Sequence, residues 1–173
     1  MKLTKTLAAA GFCLAAVGAG IAPALAQRAA LPDQPRPQIG KMDDSIKSYE
    51  DALKYYKAGD LERARQQLED FLGKVGEHAG GNFLMGMVQA QMGDLAKSKI
   101  YFGNAVKFDP TMVSAHGWLG AVDAALGDMP GAEAQRAALV QMQTDCAGKC
   151  PKAATIQQEM DRIDQNISAN KKA

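Results

Sequence analysis

The sequence predicts an all-α protein, a superhelical solenoid of three helix-turn-helix hairpins that is closed by a C-terminal capping helix. Three observations predict it. A Gly-Asp turn motif recurs every 34 residues, small residues flank each turn at the same offsets, and the last segment carries apolar residues at helical spacing. The 173 residues are 47% hydrophobic and 23% charged, which is typical of one soluble globular domain.

The N-terminal segment 1–26 has the features of a secretory signal peptide. A short basic start precedes an apolar run over residues 7–22, and the segment ends in a small-x-small cleavage motif at Ala26. The run is shorter than the ~20 residues of a membrane span, which favours a cleaved leader over an anchor. We therefore expect cleavage before Gln27 and export to the periplasm or out of the cell.

Cleavage of this leader would also change the charge balance. The leader contains two of the 20 basic residues and no acidic residue, which leaves 18 basic against 19 acidic residues and a net charge of about −1. A nearly neutral chain predicts no basic patch for a phosphate backbone, so nucleic acid is not expected as a partner.

A proline-rich tether is predicted to follow over residues 27–43. Pro32, Pro35 and Pro37 stand there among few large apolar residues, which favours an extended and semi-rigid segment. The repeats are expected to begin near Asp44 and to extend over residues 44–144.

The turn motif defines the hairpins. Each glycine suits the left-handed position that ends a helix, and each aspartate can cap the next helix by accepting hydrogen bonds from its free amides. Every repeat is therefore predicted to be a helix, a tight turn and a second helix. The motif residues are Gly59 and Asp60, Gly93 and Asp94, and Gly127 and Asp128.

Small residues recur on both sides of each turn, where the two helices of a hairpin must cross closely. Larger apolar residues such as Leu68 and Phe102 follow one turn later and are expected to face the next hairpin. The small residues are Ala52, Gly86 and Gly120 before the turns, and Ala64, Ser98 and Ala132 after them.

This pattern resembles the tetratricopeptide repeat family, whose period is 34 residues. The resemblance covers Ser45 to about Thr144. Three kinds of position depart from the family pattern: Arg136 replaces an aromatic residue, Phe71 and Leu139 replace small residues, and Gly76 and Thr144 replace proline. The matching positions are Tyr55, Ala64, Met85, Gly86, Phe102, Ala105, Pro110, Leu119, Gly120 and Ala132.

The resemblance implies a concave groove, lined by the first helix of each pair, that receives a peptide or helix from a partner protein. The side chains at these positions favour an apolar or amphipathic partner segment. The family's clamp for a C-terminal carboxylate is missing, since those positions hold Tyr49, Leu53, Leu84, Ser114 and Trp118. The predicted groove residues are Ile46, Tyr49, Leu53, Tyr56, Phe83, Met87, Ala90, Ser114, Gly117, Ala121 and Ala124.

The C-terminal segment 145–173 is predicted to hold a disulfide loop and the capping helix. Four apolar residues spaced by four, three and four line one face of a helix over 152–170. A helix on a membrane surface is the alternative, but such helices carry Lys and Arg on their polar side, whereas this polar side is acidic and rich in amides. The four apolar residues are Ile156, Met160, Ile163 and Ile167.

Cys146 and Cys150 are the only cysteines after the leader. In an oxidising compartment such a pair normally forms a disulfide, which here would pin the capping helix. Gly148 is expected to bend the chain, and Pro151 is expected in the first turn of the helix. A thiol-redox site would be expected to show Cys-x-x-Cys within an α/β fold, and neither feature is predicted here.

Two other groups of side chains raise a metal-site hypothesis. Met85, Met87 and Met92 share one helix, and thioethers bind Cu(I). His78 and His116 lack the clustered spacing of a zinc site, and the bland interpretation makes His78 a loop residue and His116 a groove or surface residue. Adaptable core packing is the commoner role of methionines.

The sequence therefore predicts a non-enzymatic adaptor of the bacterial cell envelope, since no phosphate loop and no Ser, His and acid arrangement is recognisable. We expect protein partners from the envelope, no cofactor, no metal and no stable membrane insertion after cleavage. Two alternatives remain. One is a periplasmic metal or thiol-redox accessory using Cys146, Cys150 and the methionines, and the other is a self-associating structural protein, which leaves homo-oligomers open.

Overall fold

A computed structural model describes residues 39–147 and 150–172, with side chains from residue 44 onward. This part of the chain forms seven α-helices and contains no strand. The prediction of an all-α solenoid with three hairpins and a capping helix is confirmed. The helices are α1 (Ile39–Lys57), α2 (Leu61–Lys74), α3 (Ala79–Gln91), α4 (Leu95–Phe108), α5 (Val113–Ala125), α6 (Met129–Asp145) and α7 (Ala153–Asn170).

The first helix begins earlier than the sequence suggested. It starts at Ile39, so the last five residues of the tether predicted over 27–43 are helical. The sequence did carry a signal for this turn, since Ile39 and Met42 precede Ile46 and Tyr49 at the helical spacings of three, four and three residues. The predicted signal peptide and residues 27–38 of the tether lie outside the described residues.

The three turns share one geometry. Their glycines have φ angles of 77°, 85° and 81°, a left-handed conformation that a side chain would strain. The glycine amide donates to the carbonyl three residues back, and the following aspartate amide donates to the carbonyl five residues back. The aspartate carboxylates then accept from Arg63 N at 3.1 Å, Lys97 N at 3.0 Å and Gly131 N at 3.0 Å. Each hairpin is thus fixed by its own backbone hydrogen bonds.

The helices of each hairpin cross at the small residues, and all six are buried. In the second hairpin Ser98 Oγ donates to the carbonyl oxygen of Gly86 at 2.9 Å, so the two helices touch directly. A Cβ atom on Gly86 would lie 2.6 Å from the Phe102 ring. Glycine is therefore needed there because the aromatic ring of α4 occupies the space beside it.

In the third hairpin a different residue fills the space beside the glycine. Arg136 stands where Phe102 stands one repeat earlier, and its Nε atom lies 2.6 Å from Asp164 Oδ1 on α7. A Cβ atom on Gly120 would lie 2.6 Å from Ile163 Cδ1. Ile163 of α7 thus supplies the apolar group that the third hairpin lacks.

The capping helix α7 packs along α5 as well as against α6. Its contacts with α5 advance in the same direction along both sequences, so the two helices run parallel. The contacting pairs are Glu159 with Gly117, Ile163 with Gly120, and Asn170 with Ala124. Ile156, Met160 and Ile163 form one core cluster with residues of α5 and α6. The predicted cap over 152–170 thus appears as α7, and it closes the stack.

An ion-pair network joins the second and third hairpins. Lys99 Nζ lies 2.8 Å from Asp123 Oδ1 and 2.6 Å from Asp128 Oδ2. Burial raises the pKa of Asp123, and the hydrogen bond from Lys99 opposes that rise. Lys99 also lowers the pKa of Asp128, together with the Gly131 amide.

His116 differs from its expected place. It is buried, and its Nδ1 and Nε2 atoms lie 2.7 Å from Gln135 Oε1 and 3.1 Å from the carbonyl oxygen of Pro110. The interpretation as a groove or surface residue is therefore wrong. Its role is to tie α5 to α6 and to the turn before α5.

The segment between α6 and α7 turns at Ala147, whose φ angle is 49°. Gly148, where the bend was expected, lies outside the described residues. The expectation for Pro151 is also corrected, because α7 begins at Ala153 and Pro151 precedes its first turn. Within residues 39–147 and 150–172, no helix is long and apolar enough to cross a membrane.

Candidate partner-binding face

The predicted groove residues of α1 combine exposure with packing. Ile46 is 53% exposed, while Tyr49, Leu53 and Tyr56 are half-buried against the core between α1, α2 and α3. The Tyr56 hydroxyl accepts a hydrogen bond of 2.6 Å from Gln91 Nε2, which joins α1 to α3. Burial raises the pKa of the Tyr49 and Tyr56 hydroxyls, so both stay neutral at physiological pH.

Tyr49 belongs to a small aromatic cluster at the junction of the first two hairpins. Its ring centroid lies 5.1 Å from that of Phe71 and 5.5 Å from that of His78. His78 lies in the loop before α3, and its Nδ1 atom accepts from the Gly81 amide at 2.9 Å. His78 therefore acts as the N-cap of α3, and Phe71 fills space that a side chain at Gly81 would need.

The α3 residues lead from this junction to the third hairpin. Phe83 and Met87 are half-buried, and the Phe83 ring lies 5.5 Å from the Phe102 ring. The Phe102 ring is stacked in turn on Trp118 of α5 at 5.9 Å. These separations fall in the favourable range for aromatic pairs, so the aromatic row spans α3, α4 and α5.

The predicted α5 residues do not share one open floor. Ser114 lies beside Thr111, Lys152 and Thr155 in a separate cavity of about 280 Å³ at the start of α5 and α7. Gly117 lies under Glu159 of α7, and the methyl group of Ala124 is fully buried. Only Ala121 lines the concave surface next to the aromatic row.

A mostly apolar cavity of about 240 Å³ lies at that point, between α3, α5 and α7. We call it the Trp118 pocket. It includes two residues that the repeat register placed on the groove, Ala90 and Ala121. The lining residues are Ala90, Leu95, Trp118, Ala121, Val122, Ala125, Arg162 and Asn166.

The wall of the Trp118 pocket formed by α7 is held in a fixed position. The guanidinium carbon of Arg162 lies 4.3 Å from the centroid of the Trp118 ring, a cation–π contact. Arg162 Nε donates to Glu159 Oε2 at 2.7 Å, and Glu159 is only 4% exposed. Asn166 Nδ2 donates to the carbonyl oxygen of Arg162 at 2.9 Å. These contacts fix the guanidinium at the edge of an apolar cavity.

Sequence reasoning missed Arg162 and Asn166 as site residues, and it named Trp118 only as a departure from the family's carboxylate clamp. Trp118 had a signal, since it is the single tryptophan and lies one residue after the groove position Gly117. Arg162 and Asn166 had none, because α7 lies outside the repeats and its polar residues look solvated in sequence.

The three methionines named in the metal alternative lie in different surroundings. Met85 is fully buried in the core, Met87 is half-buried beside Phe102, and Met92 is exposed at the turn. Among the described residues no group of three His, Cys, Asp or Glu side chains is placed to hold a metal ion.

The Cα atoms of Cys146 and Cys150 are 5.3 Å apart, and their sulfurs face each other within bonding distance.

Comparison with known proteins finds similarity to tetratricopeptide repeats. A model of the tetratricopeptide repeat matches residues 79–112, which hold the second hairpin. The TPR2B domain in the pHsp70 complex of yeast Sti1 is similar, with 16% identity and a TM-score of 0.58 over 71% of this chain and 98% of that one. The first TPR domain of Spaghetti (RPAP3), bound to the HSP90 peptide SRMEEVD, has 15% identity and a TM-score of 0.59 over 73% and 94%. A search of curated proteins found no match.

Proposed function

We propose that this chain, a tetratricopeptide-repeat protein, is a non-enzymatic interaction module that binds an apolar or amphipathic segment of a partner protein. The binding face is the concave surface formed by α1, α3 and α5. The observation that carries the proposal is that half-buried aromatic and sulfur side chains on α1 and α3 lead to the open Trp118 pocket. Such pockets beside aromatic residues are where interface anchors bind. The two similar domains are in complexes with an Hsp70 and an HSP90 peptide, which supports a protein partner.

The proposed setting is the bacterial cell envelope, where the chain acts as an adaptor after removal of residues 1–26. The distance between the Cα atoms of Cys146 and Cys150 suits a disulfide, which an oxidising periplasm would keep formed. This bond would fix the start of α7 and, through α7, the wall of the Trp118 pocket. Its function would therefore be structural.

The test is capture of partners by crosslinking in the cells that produce the protein, comparing two variants at matched abundance. Ala90→Arg places a large charged group on the proposed face, and Ala96→Arg places the same group on an exposed position of α4. We expect one dominant envelope partner that is lost with Ala90→Arg and kept with Ala96→Arg. Equal capture by both variants would place the interface elsewhere.

Blocking is preferable to truncation on this face. Alanine at Tyr49 or Phe83 would also remove ring contacts with Phe71 and Phe102, so reduced capture could arise from a loosened fold. Ala90→Arg leaves those contacts in place. Equal melting temperatures of the two arginine variants would verify that the fold is intact.

A further inference from the structure

We infer that the Trp118 pocket recognises a large apolar side chain that is flanked by an Asp or Glu side chain in the partner segment. This inference rests on the proposed function and specifies the chemistry of its ligand. It follows from the size of the pocket, from its apolar walls and from the charge fixed at its edge.

The volume of the pocket sets the size of the anchor. At about 240 Å³ it exceeds the engineered cavity of about 150 Å³ that accommodates benzene, so one leucine-sized or phenyl-sized side chain fits. Ala90, Leu95, Ala121 and Ala125 contribute only carbon atoms from their side chains. An apolar anchor would leave none of its own polar groups unpaired against them.

The charge at the edge selects the neighbour of that anchor. Arg162 Nε donates a hydrogen bond to Glu159. Among the described residues, the two terminal nitrogens of Arg162 have no hydrogen-bond partner. Stacking on Trp118 and the bond to Glu159 hold the guanidinium before any ligand arrives, which reduces the entropy lost on binding. Two adjacent N–H groups in a fixed plane match the two oxygens of a carboxylate.

The local charges support an acidic rather than a basic neighbour. No Asp or Glu side chain lines the Trp118 pocket in the described part of the chain. The carboxylate that contacts Arg162 is that of Glu159, which is buried. A basic segment would meet the guanidinium with like charge, and an uncharged segment would leave its terminal N–H groups without a partner.

The pocket contains its own reporter, because Trp118 is the only tryptophan in the chain. The probes are three acetylated and amidated peptides in a Gly-Ser background, one with Leu-Asp, one with Leu-Asn and one with Ala-Asp. The blocked ends remove terminal charges, so the only carboxylate is the side chain. Titration of the full chain with each peptide, followed by Trp118 fluorescence, measures binding.

We expect the Leu-Asp peptide to shift the emission and to bind about tenfold more tightly than either relative. Equal binding of all three peptides, or no change of emission with the Leu-Asp peptide, would overturn the inference. If either of these results is found while Ala90→Arg still loses the partner in cells, the proposed function stands and only this inference fails. The two proposals therefore fail separately.

Two variants separate recognition from folding. Ala125→Phe fills the pocket from an exposed position and should abolish the fluorescence response, while Ala96→Phe on α4 should retain it. Arg162→Gln should remove the preference for Leu-Asp over Leu-Asn and keep the preference for leucine over alanine. A variant at Arg162 that still prefers aspartate would contradict the assignment of the guanidinium.

Discussion

The two ends of the concave face differ at one equivalent position of the three repeats. Tyr49, Phe83 and Gly117 lie 34 residues apart, two with large rings and one with no side chain. Where the rings stand, the first helices of successive hairpins make few direct contacts with each other, whereas α7 packs along the whole of α5 over Gly117. Side-chain size at this position therefore decides whether the next helix stands apart or closes the face.

The difference also explains how the stack ends. The third hairpin lacks the aromatic residue of its second helix, and Ile163 of α7 fills that space beside Gly120. The close approach that Gly117 permits is what brings Ile163 within reach. The closed end leaves the partly exposed side chains of α1 and α3 and the Trp118 pocket as the accessible part of the face.

The largest expected effect comes from the two apolar groups that fill equivalent spaces. Phe102→Ala should lower the free energy of unfolding by about 4 kcal/mol and Ile163→Ala by about 3 kcal/mol, since each leaves a cavity beside a glycine. Chemical denaturation measures both. Ile100→Ala, at a position 62% exposed, is the control and should change stability by less than about 0.5 kcal/mol. A similarly small change for Ile163→Ala would remove the claim that α7 completes the third hairpin.

A bulky residue at Gly117 should remove the difference between the two ends of the face. Gly117→Phe gives the third hairpin the type of residue found at Phe83, and its Cβ atom would lie 2.6 Å from Glu159 Cβ. We expect α7 to lift from α5, with a loss of about 2 kcal/mol or more. Hydrogen exchange should show faster exchange in α7.

The matched control for this substitution is another glycine within a helix. A Cβ atom on Gly103 would meet nothing within 4 Å, so Gly103→Ala should stabilise α4 by about 0.5–1 kcal/mol. Unchanged exchange of α7 in Gly117→Phe would show that the close approach is not required.

The aspartate caps predict how stability depends on pH. Hydrogen bonds from Lys97 lower the pKa of Asp94, so its contribution is complete above the unfolded value of about 4 and is lost as pH falls through the lower folded value. Asp94→Asn keeps a capping side chain but removes this titration. Melting temperatures between pH 7 and pH 3 should therefore fall less steeply in the variant. Parallel pH profiles would contradict the assignment.

The smallest expected effect lies at the turn before α7. Ala147 has a φ angle of 49°, a conformation that costs an L-residue about 1 kcal/mol and glycine almost nothing. Ala147→Gly should therefore leave the fold unchanged and raise the melting temperature slightly, despite the greater freedom of glycine in the unfolded chain. A lower melting temperature would mean that unfolded-state entropy outweighs the strain.

The sequence predicted the turns that repeat along the chain and missed the side-chain contacts that occur only once. Gly59, Gly93 and Gly127 recur with their aspartates, so a local rule identified three hairpins without any knowledge of packing. The pairing of Arg136 with Asp164 and the position of Arg162 over Trp118 have no such signal, because they depend on how α7 docks. His116 was misjudged for a similar reason, since its burial depends on Gln135 across the hairpin.

If α7 completes the third hairpin by packing on α5, a chain that ends at Ala147 should lose the protection of that hairpin, which hydrogen exchange measures. Loss of Ile156, Met160 and Ile163 exposes the last core cluster. We expect amide protection to collapse in α5 and α6 and to persist in α1 to α4. Protection that stays unchanged in α5 and α6, or that falls equally in all three hairpins, would show that α7 does not complete the third hairpin.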